Sequence, residues 1–371
     1  MKRPIKFNIR ELAGSMGDFG TLFPLAVGYI AINGMDPTGL LIMIGIANIA
    51  TGLIYRLPMP IEPMKVIAVT AIAQQWEPSL IHAVGISTGI VWIIMALSGL
   101  MDRIAAIVPT SVVKGIQTGL GVMLSLQALK LMSDNIVLGI VALLIIILFK
   151  DNKYLPSAIV LVFGGILLMY FQGSLSEVVY KGINLPKFQL VSLKDMWQGM
   201  VLAGFAQIPL TATNAVIATA ALIKDYWPDS DVSEKQLSAN MGVMNLILPL
   251  FGGMPLCHGS GGLAGQYTFG ARTGGTNIIE GGLEILLGLF LGSSIAIIFG
   301  SFPSGIIGAM MFFVGYKLIL RGYKAYLLDG SKKNILTIIA TVIGALILNM
   351  AAGFIFGMVG YYLIDKIEKN K

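Results

Sequence analysis

Residues 251–267, FGGMPLCHGSGGLAGQY, bring together the groups of this chain that are most able to do chemistry. Cys257 is the only cysteine, and His258 follows it directly. A nucleophile and its base must share a hydrogen bond, which adjacent residues rarely form, and no third residue follows that would orient the histidine. We therefore expect neither an enzyme nor a bound cofactor. A single cysteine also excludes an internal disulfide and a cysteine-based metal cluster.

The glycines that follow His258 favour binding instead. Gly259, Gly261 and Gly262 would let a ligand approach the backbone amides closely, and Ser260 adds a hydroxyl donor. An oxyanion accepts hydrogen bonds from several directions and fits such a cup of donors. The alternative is that these glycines serve close packing of helices. His258 is a candidate ligand or proton carrier, although a hydrogen-bonded structural histidine is the simpler interpretation.

A second stretch, LPMPIEPMK at residues 57–65, combines prolines with two charges. Pro63, Met64 and Lys65 are candidates for the same anion site. Lys65 is the only lysine or arginine that we place deep within an apolar segment, where ionisable groups are costly and tend to be functional. It adds positive charge to the site, or it pairs with Glu62 three residues earlier and is structural. Both interpretations stay open.

Other polar side chains lie inside apolar segments. The candidates for hydrogen bonding to a ligand are Gln207, Thr211 and Asn214. The candidates for carrying a coupled proton are Asp18, Glu62 and Glu280. Interhelical hydrogen bonding explains any one of these residues equally well. Their relative positions in the folded protein must therefore distinguish a functional role from a structural one.

The composition is that of a membrane protein. Of 371 residues, 56% are hydrophobic and only 12% are charged, against about 25% charged in soluble proteins. Apolar runs long enough to cross about 30 Å of hydrocarbon recur along the chain. The net charge of +6 comes from short loops beside these runs, which argues against a nucleic-acid partner. A phosphate-binding G-x-x-x-x-G-K-[ST] motif is absent from the sequence, so we do not expect ATP to drive the protein directly.

The apolar runs predict an all-α integral membrane protein with about fourteen transmembrane segments. They lie near residues 13–32, 37–55, 61–76, 80–100, 108–128, 133–149, 155–172, 197–222, 237–251, 257–271, 277–299, 304–320, 334–349 and 351–366. Assigning the loops alternately puts most lysines and arginines, Lys317 among them, on one face. The positive-inside rule makes that face cytoplasmic, so both termini are expected in the cytoplasm and the protein in the cell membrane.

Segments 3 and 10 are poor as continuous helices. Prolines in the first and glycines in the second predict that each begins extended and becomes helical part-way across. The two correspond, because GIAN (45–48) precedes MP (59–60) as GVMN (242–245) precedes MP (254–255). This order predicts a duplicated unit of seven spans whose second copy is inverted. The two half-helices would then start in mid-membrane, each presenting about half a positive charge to an anion.

These motifs resemble the molybdate transporter family of the sulfate permease superfamily. The similar stretches are ELAGSMGDFGTLFPL, NIATGLIYRLPMPIEPMKVIA, PLTATNAVIATAALIKD and FGGMPLCHGSGGLAGQYTFGARTGG. The resemblance implies two inverted seven-span repeats divided between a core domain (residues 1–101 and 196–300) and a gate domain (residues 102–195 and 301–371). It also implies that the core moves like an elevator against the gate, often in a homodimer embedded in the lipid bilayer.

The leading hypothesis is a secondary transporter that imports molybdate or, as second choice, sulfate, with the proton as coupling ion. A divalent anion needs such a cation because it enters against a negative-inside potential. In the family pattern a glutamine stands where this chain has Glu62, a carboxylate that Lys65 or a proton must neutralise. A transporter of the same fold for a nucleobase or an organic carboxylate, and an anion channel, remain as alternatives.

Overall fold

The computed structural model describes residues 3–100, 107–149, 157–175, 182–329 and 331–369, and these are mostly helical. The helices are α1 (Ile9–Gly14), α2 (Phe19–Ala31), α3 (Pro37–Tyr55), α4 (Lys65–Ala73), α5 (Pro78–Ser98), α6 (Thr110–Met132), α7 (Ile136–Phe149), α8 (Ser157–Phe171), α9 (Leu193–Tyr226), α10 (Glu234–Ile247), α11 (Ser260–Phe269), α12 (Gly275–Gly300), α13 (Ser304–Asp329), α14 (Lys332–Ile347) and α15 (Met350–Lys369). Two short strands, β1 (Glu62–Pro63) and β2 (Leu256–Cys257), form one sheet.

Six helices in the described part of the chain are long and apolar enough to cross a membrane: α3, α5, α6, α9, α12 and α15. Shorter apolar helices cover Thr21–Ala31, Ile136–Phe149, Val160–Phe171 and Ser304–Leu320. The outward faces are apolar as well, and Leu97 and Leu148 are 78% and 77% exposed. Such a surface is stable where the surrounding solvent is hydrocarbon rather than water.

Three long helix pairs join the first half of the chain to the second. Helix α3 packs along α12, α5 along α10, and α6 along α13. Glycines allow the backbones to approach: a Cβ on Gly45 would lie 2.6 Å from the Gly281 carbonyl oxygen, and one on Gly121 would lie 2.6 Å from that of Gly315. Small residues serve this purpose in membranes, where packing rather than the hydrophobic effect holds helices together.

Helix α9 is the irregular one. Pro209 lies inside it, and π-helical turns occur at Met200–Gly204 and Ala212–Ile217. Proline has no amide to continue the helical hydrogen-bond pattern, and wider turns accommodate the break. The two polar residues on either side of the proline, Gln207 and Thr211, lie four residues apart and share one face of the helix.

A buried carboxylate fastens the N-terminal helix to the start of α12. Glu11 is only 2% exposed and accepts hydrogen bonds from the Thr273 hydroxyl at 3.0 Å and the Thr276 hydroxyl at 2.5 Å. The backbone amide of Arg272 also donates to it at 3.2 Å. Several donors thus satisfy the oxygens of this buried side chain. Glu11 is the reference against which the other buried carboxylates can be judged.

Candidate functional site

Two extended segments meet inside the protein. Strands β1 and β2 run antiparallel, with Glu62 opposite Cys257 and Pro63 opposite Leu256. Proline disfavours a helical conformation at the residue before it, which keeps both MP segments extended. Helix α4 begins at Lys65 and α11 begins at Ser260, directly after the strands. The sheet therefore holds the starts of two helices side by side.

Asparagine side chains satisfy the backbone of both extended segments. Asn277 accepts from the Met59 amide at 2.9 Å and donates to the Met59 carbonyl at 2.6 Å. Asn245 does the same for Leu256, at 2.8 and 2.6 Å. Buried backbone groups outside regular structure need such partners.

The start of α4 is capped by a side chain from α9. The Gln207 carbonyl oxygen accepts hydrogen bonds from the Val66 amide at 2.7 Å and the Ile67 amide at 3.3 Å. The Gln207 amide group donates in turn to the Thr211 hydroxyl at 2.6 Å. In this conformation these two amides at the start of α4 are therefore bound within the protein, which differs from the open start expected from the sequence.

Replacing Gln207 with alanine is expected to destabilise the protein, because it leaves two buried amides without an acceptor. The expected loss is about 1–3 kcal/mol in the free energy of unfolding. Thermal unfolding of the purified protein in detergent measures it. The matched control is Thr211→Val, which removes only the outer hydrogen bond. Equal losses from the two variants would contradict the capping role.

The start of α11 holds the Glu62 carboxylate. A Cβ on Gly259 would lie 2.5 Å from Glu62 Oε2, and one on Gly262 would collide with Oε1. Only glycine leaves room for this approach. Lys65 forms an ion pair with the same carboxylate, and the side chains of Glu62 and Lys65 are 3% and 13% exposed. A negative group is favoured at a helix N-terminus, so the position expected for a bound anion is occupied here by a carboxylate of the protein.

A cavity of about 170 Å³ adjoins this carboxylate. It is lined by Gly17, Asp18, Thr21, Glu62, Lys65, Asn214, Gly261, Gly262 and Lys317. Its volume is about that of five or six water molecules, which is enough for an anion of five heavy atoms. Four of its lining side chains are ionisable, two of each sign. We call it the charged cavity.

The charged cavity collects some of the residues singled out from the sequence and leaves others outside its wall. Those in the wall are Asp18, Glu62, Lys65, Asn214, Gly261 and Gly262. Those outside it are Pro63, Met64, Gln207, Thr211, His258, Gly259, Ser260 and Glu280. Ser260 is one contact away, because its hydroxyl donates to Asn214 Oδ1 at 3.1 Å.

His258 and Cys257 are packed against backbone. His258 is fully buried, its Nδ1 lies 3.3 Å from the Pro60 carbonyl oxygen, and its ring meets that of Tyr55 edge to face at 6.0 Å. The Cys257 thiol lies 3.9 Å from the Pro63 carbonyl oxygen. Both side chains therefore lie against the backbone of the first extended segment.

Three further buried carboxylates have fewer donors than Glu11. Asp18 accepts one hydrogen bond, from Gln266 at 3.2 Å, and Glu284 accepts one from Asn48 at 2.9 Å. Neither carboxylate oxygen of Glu280 has a hydrogen-bond partner among the described residues, although the residue is only 2% exposed. Burying an unpaired charge is costly, so Glu280 is the least satisfied of these carboxylates.

Two other cavities are larger than the charged cavity. Glu280 and Glu284 lie in the wall of an otherwise apolar cavity of about 290 Å³ beside α2. A cavity of about 560 Å³ near the end of α3 includes Arg56 and Asp231 but none of the candidate residues. We place the candidate site in the smaller charged cavity because the residues from both interrupted segments meet there.

Lys317 lines the cavity but was not among the site residues expected from the sequence, where it was grouped with the lysines and arginines of the cytoplasmic face. It lies within α13, and its Nζ is 4.4 Å from the centre of the Phe313 ring. The sequence did contain a signal, because a lone lysine interrupts the apolar run MMFFVGYKLIL (310–320). Ending the predicted segment at residue 320 put this lysine near the end of the span and hid that signal.

Solved structures with a similar fold are those of membrane transporters. The transmembrane domain of a cyanobacterium bicarbonate transporter, BicA, aligns with a TM-score of 0.68 and 16% identity over 95% of this chain and 96% of that chain. Murine Solute Carrier 26 family member A9, an anion transporter, aligns with a TM-score of 0.75 and 14% identity over 99% and 70%. This chain thus shares the fold of these proteins.

Sequence comparison narrows the class to a family. A family model described as "Molybdate transporter of MFS superfamily" matches residues 10–124 and 199–318. Molybdate transporter 2 of Arabidopsis thaliana is 30% identical over 98% of this chain and 88% of its own length. Molybdate transporter 1 of the same plant is 32% identical over 84% and 79%. The chain belongs to the molybdate transporter family, and the relatives are transporters rather than enzymes.

Proposed function

We propose that this protein is a secondary active transporter that imports a tetrahedral oxyanion, molybdate first and sulfate second. The observation that carries the proposal is the charged cavity, where Lys65 and Lys317 reach one small space beside the start of α11. Two cations and a helix N-terminus suit a small dianion. The names of the Arabidopsis relatives favour molybdate over sulfate.

The architecture that we propose is two inverted repeats of seven spans, fourteen in all, with residues 57–76 and 252–271 as the interrupted spans 3 and 10. The helix pairs support it. Span 2 (α3) packs on span 11 (α12), and the counterparts of these spans in the other repeat, span 9 (α10) and span 4 (α5), pack on each other. A pseudo-two-fold axis in the membrane plane, which would relate span 2 to span 9 and span 4 to span 11, produces two such matching contacts.

We further propose that the core (residues 1–101 and 196–300) carries the anion past the gate (residues 102–195 and 301–371) in an elevator movement. The closest helix contacts support this division. The pairs α3 with α12 and α5 with α10 fall within the core, and the pair α6 with α13 falls within the gate. Backbones in glycine-mediated contact move as one body more readily than they slide.

Proton coupling is part of the proposal. Against a negative-inside potential, a dianion pays about 4.6 kcal/mol per 100 mV on entry, twice the value for one charge. Asp18 and Glu62 line the charged cavity, and the oxygens of the buried Glu280 have no hydrogen-bond donor among the described residues. A proton on one of these carboxylates lowers the negative charge that the entering anion meets. We also propose that the protein is a homodimer in the bilayer of the cell membrane, with both termini in the cytoplasm. In that orientation, coupling to an inward proton gradient would drive uptake of the anion.

Uptake of labelled molybdate into proteoliposomes tests the function. We expect saturable uptake that sulfate and tungstate compete with and that an inward proton gradient increases. Liposomes without protein are the control. Saturable uptake of an uncharged solute with no uptake of any oxyanion would contradict the functional class. Flux that never saturates would favour a channel.

A further inference from the structure

The charged cavity is built from two parts of the protein. Asp18, Glu62, Lys65 and Asn214 lie in or beside α2, α4 and α9, within the segments that we assign to the core. Lys317 lies on α13, which packs along α6 in the segments that we assign to the gate. One residue that lines the cavity, Lys317, therefore belongs to the proposed gate and not to the core.

The net charge of the cavity depends on Lys317. Lys65 is held by Glu62 in an ion pair within the core. Asp18 is buried, with one of its oxygens lacking a hydrogen-bond partner among the described residues. Without Lys317 the ionised core residues of the cavity sum to a negative charge, which repels a dianion. With Lys317 the four ionisable side chains sum to zero, and one proton on a carboxylate makes the cavity positive.

The position of the Lys317 ammonium group is also constrained. It lies over the face of the Phe313 ring, one turn earlier on α13, at 4.4 Å from the ring centre. A cation–π contact attracts an ammonium group to the face of an aromatic ring and restricts its position. An aromatic support therefore keeps the lysine at the cavity wall.

We propose that Lys317 is a substrate-binding residue supplied by the gate, so that the oxyanion is held between Lys65 and Lys317 only while Lys317 lines the charged cavity. This rests on the proposed function and on its two-domain movement. When the core moves, Lys65 travels with the anion and Lys317 stays behind. A ligand contact that exists in one conformation strengthens binding in that conformation alone and shifts the population toward it.

Replacing Lys317 with glutamine tests the inference in proteoliposomes of fixed orientation, with molybdate supplied from one face and then from the other. We expect the half-saturating molybdate concentration to rise about tenfold from one face, and about twofold or less from the opposite face. Lys317→Arg should keep the value of the unmodified protein within about threefold. The matched control is Lys235→Gln, which removes a lysine charge from the exposed first turn of α10, outside the cavity.

The possible results are distinguishable. An equal rise from both faces means that Lys317 moves with the anion and overturns the gate assignment. No rise from either face overturns the binding role, provided that the variant is folded, as judged by its thermal unfolding in detergent. If Lys317→Gln does not fold, Lys317→Arg and Lys317→Met decide between charge and packing by the same measurement. Failure of the unmodified protein to transport any oxyanion would refute the proposed function instead.

Discussion

Replacing Lys65 with glutamine is expected to abolish molybdate transport and to weaken molybdate binding by about 100-fold or more. Removing one partner of a buried charge interaction costs about 2–5 kcal/mol, and about 1.4 kcal/mol corresponds to a tenfold change in affinity. The loss should be large because Lys65 is only 13% exposed and adjoins both Glu62 and the charged cavity. Isothermal titration of the detergent-purified protein with molybdate measures the change.

A matched control separates loss of an ion pair from loss of a ligand charge. Lys333 and Asp365 form an ion pair at 2.8 Å, with side chains 16% and 26% exposed, away from the charged cavity. Lys333→Gln should leave molybdate affinity within about twofold of the unmodified value, since neither residue of this pair lines the charged cavity. If Lys65→Gln binds molybdate as tightly as Lys333→Gln does, Lys65 serves only to neutralise Glu62, and our site assignment is wrong.

Replacing Glu62 with glutamine is expected to uncouple transport from the proton gradient. The Glu62 carboxylate lies where we expect the anion, at the start of α11. Substrate binding should therefore favour its protonated form, and by reciprocity protonation favours substrate binding. In the unmodified protein affinity should fall as the pH rises, and in Glu62→Gln it should stay constant. Each coupled proton multiplies the accumulation ratio about tenfold per unit of pH difference, so losing one lowers it about tenfold.

The measurement is molybdate accumulation with and without a pH difference, together with molybdate affinity over a range of pH. Glutamine keeps the shape of the side chain and its ability to accept a hydrogen bond from Lys65, so folding should survive. Asp18→Asn is the companion variant, because Asp18 is the other carboxylate of the charged cavity. If Asp18→Asn flattens the pH dependence and Glu62→Gln does not, the proton is carried by Asp18 and the prediction for Glu62 fails.

Much of the architecture could be predicted from local sequence. Pro60 and Pro63 disfavour helix at and before their positions, and Gly259 precedes the first residue of α11, so the position of the extended segments follows largely from residue type. The repeated GIAN and GVMN motifs point to equivalent elements for the same local reason. In the structure their asparagines lie beside the extended segments, with Asn245 bonded to Leu256 and Asn48 bonded to Glu284 and Asn277.

The composition of the site could be predicted only in part. Glu62, Lys65, Gly261 and Gly262 reach the charged cavity because each lies at the start of an interrupted segment. Gln207 was expected at a ligand, yet its carbonyl oxygen caps α4. Nothing in the sequence distinguishes these roles, since a glutamine oxygen accepts a hydrogen bond from an amide of the protein as readily as its amide group donates to an anion.

The amino-acid sequence by itself determined that this is a helical membrane protein of the molybdate transporter family. Hydrophobicity and backbone restriction are properties of single residues and short windows, so their effects can be predicted without knowing which other residues pack against them. Only the tertiary structure decided which charges share one cavity. Lys317 and Lys65 are 252 positions apart in the sequence. Whether their side chains come close together depends on how α13 packs against its neighbours, which no local pattern encodes.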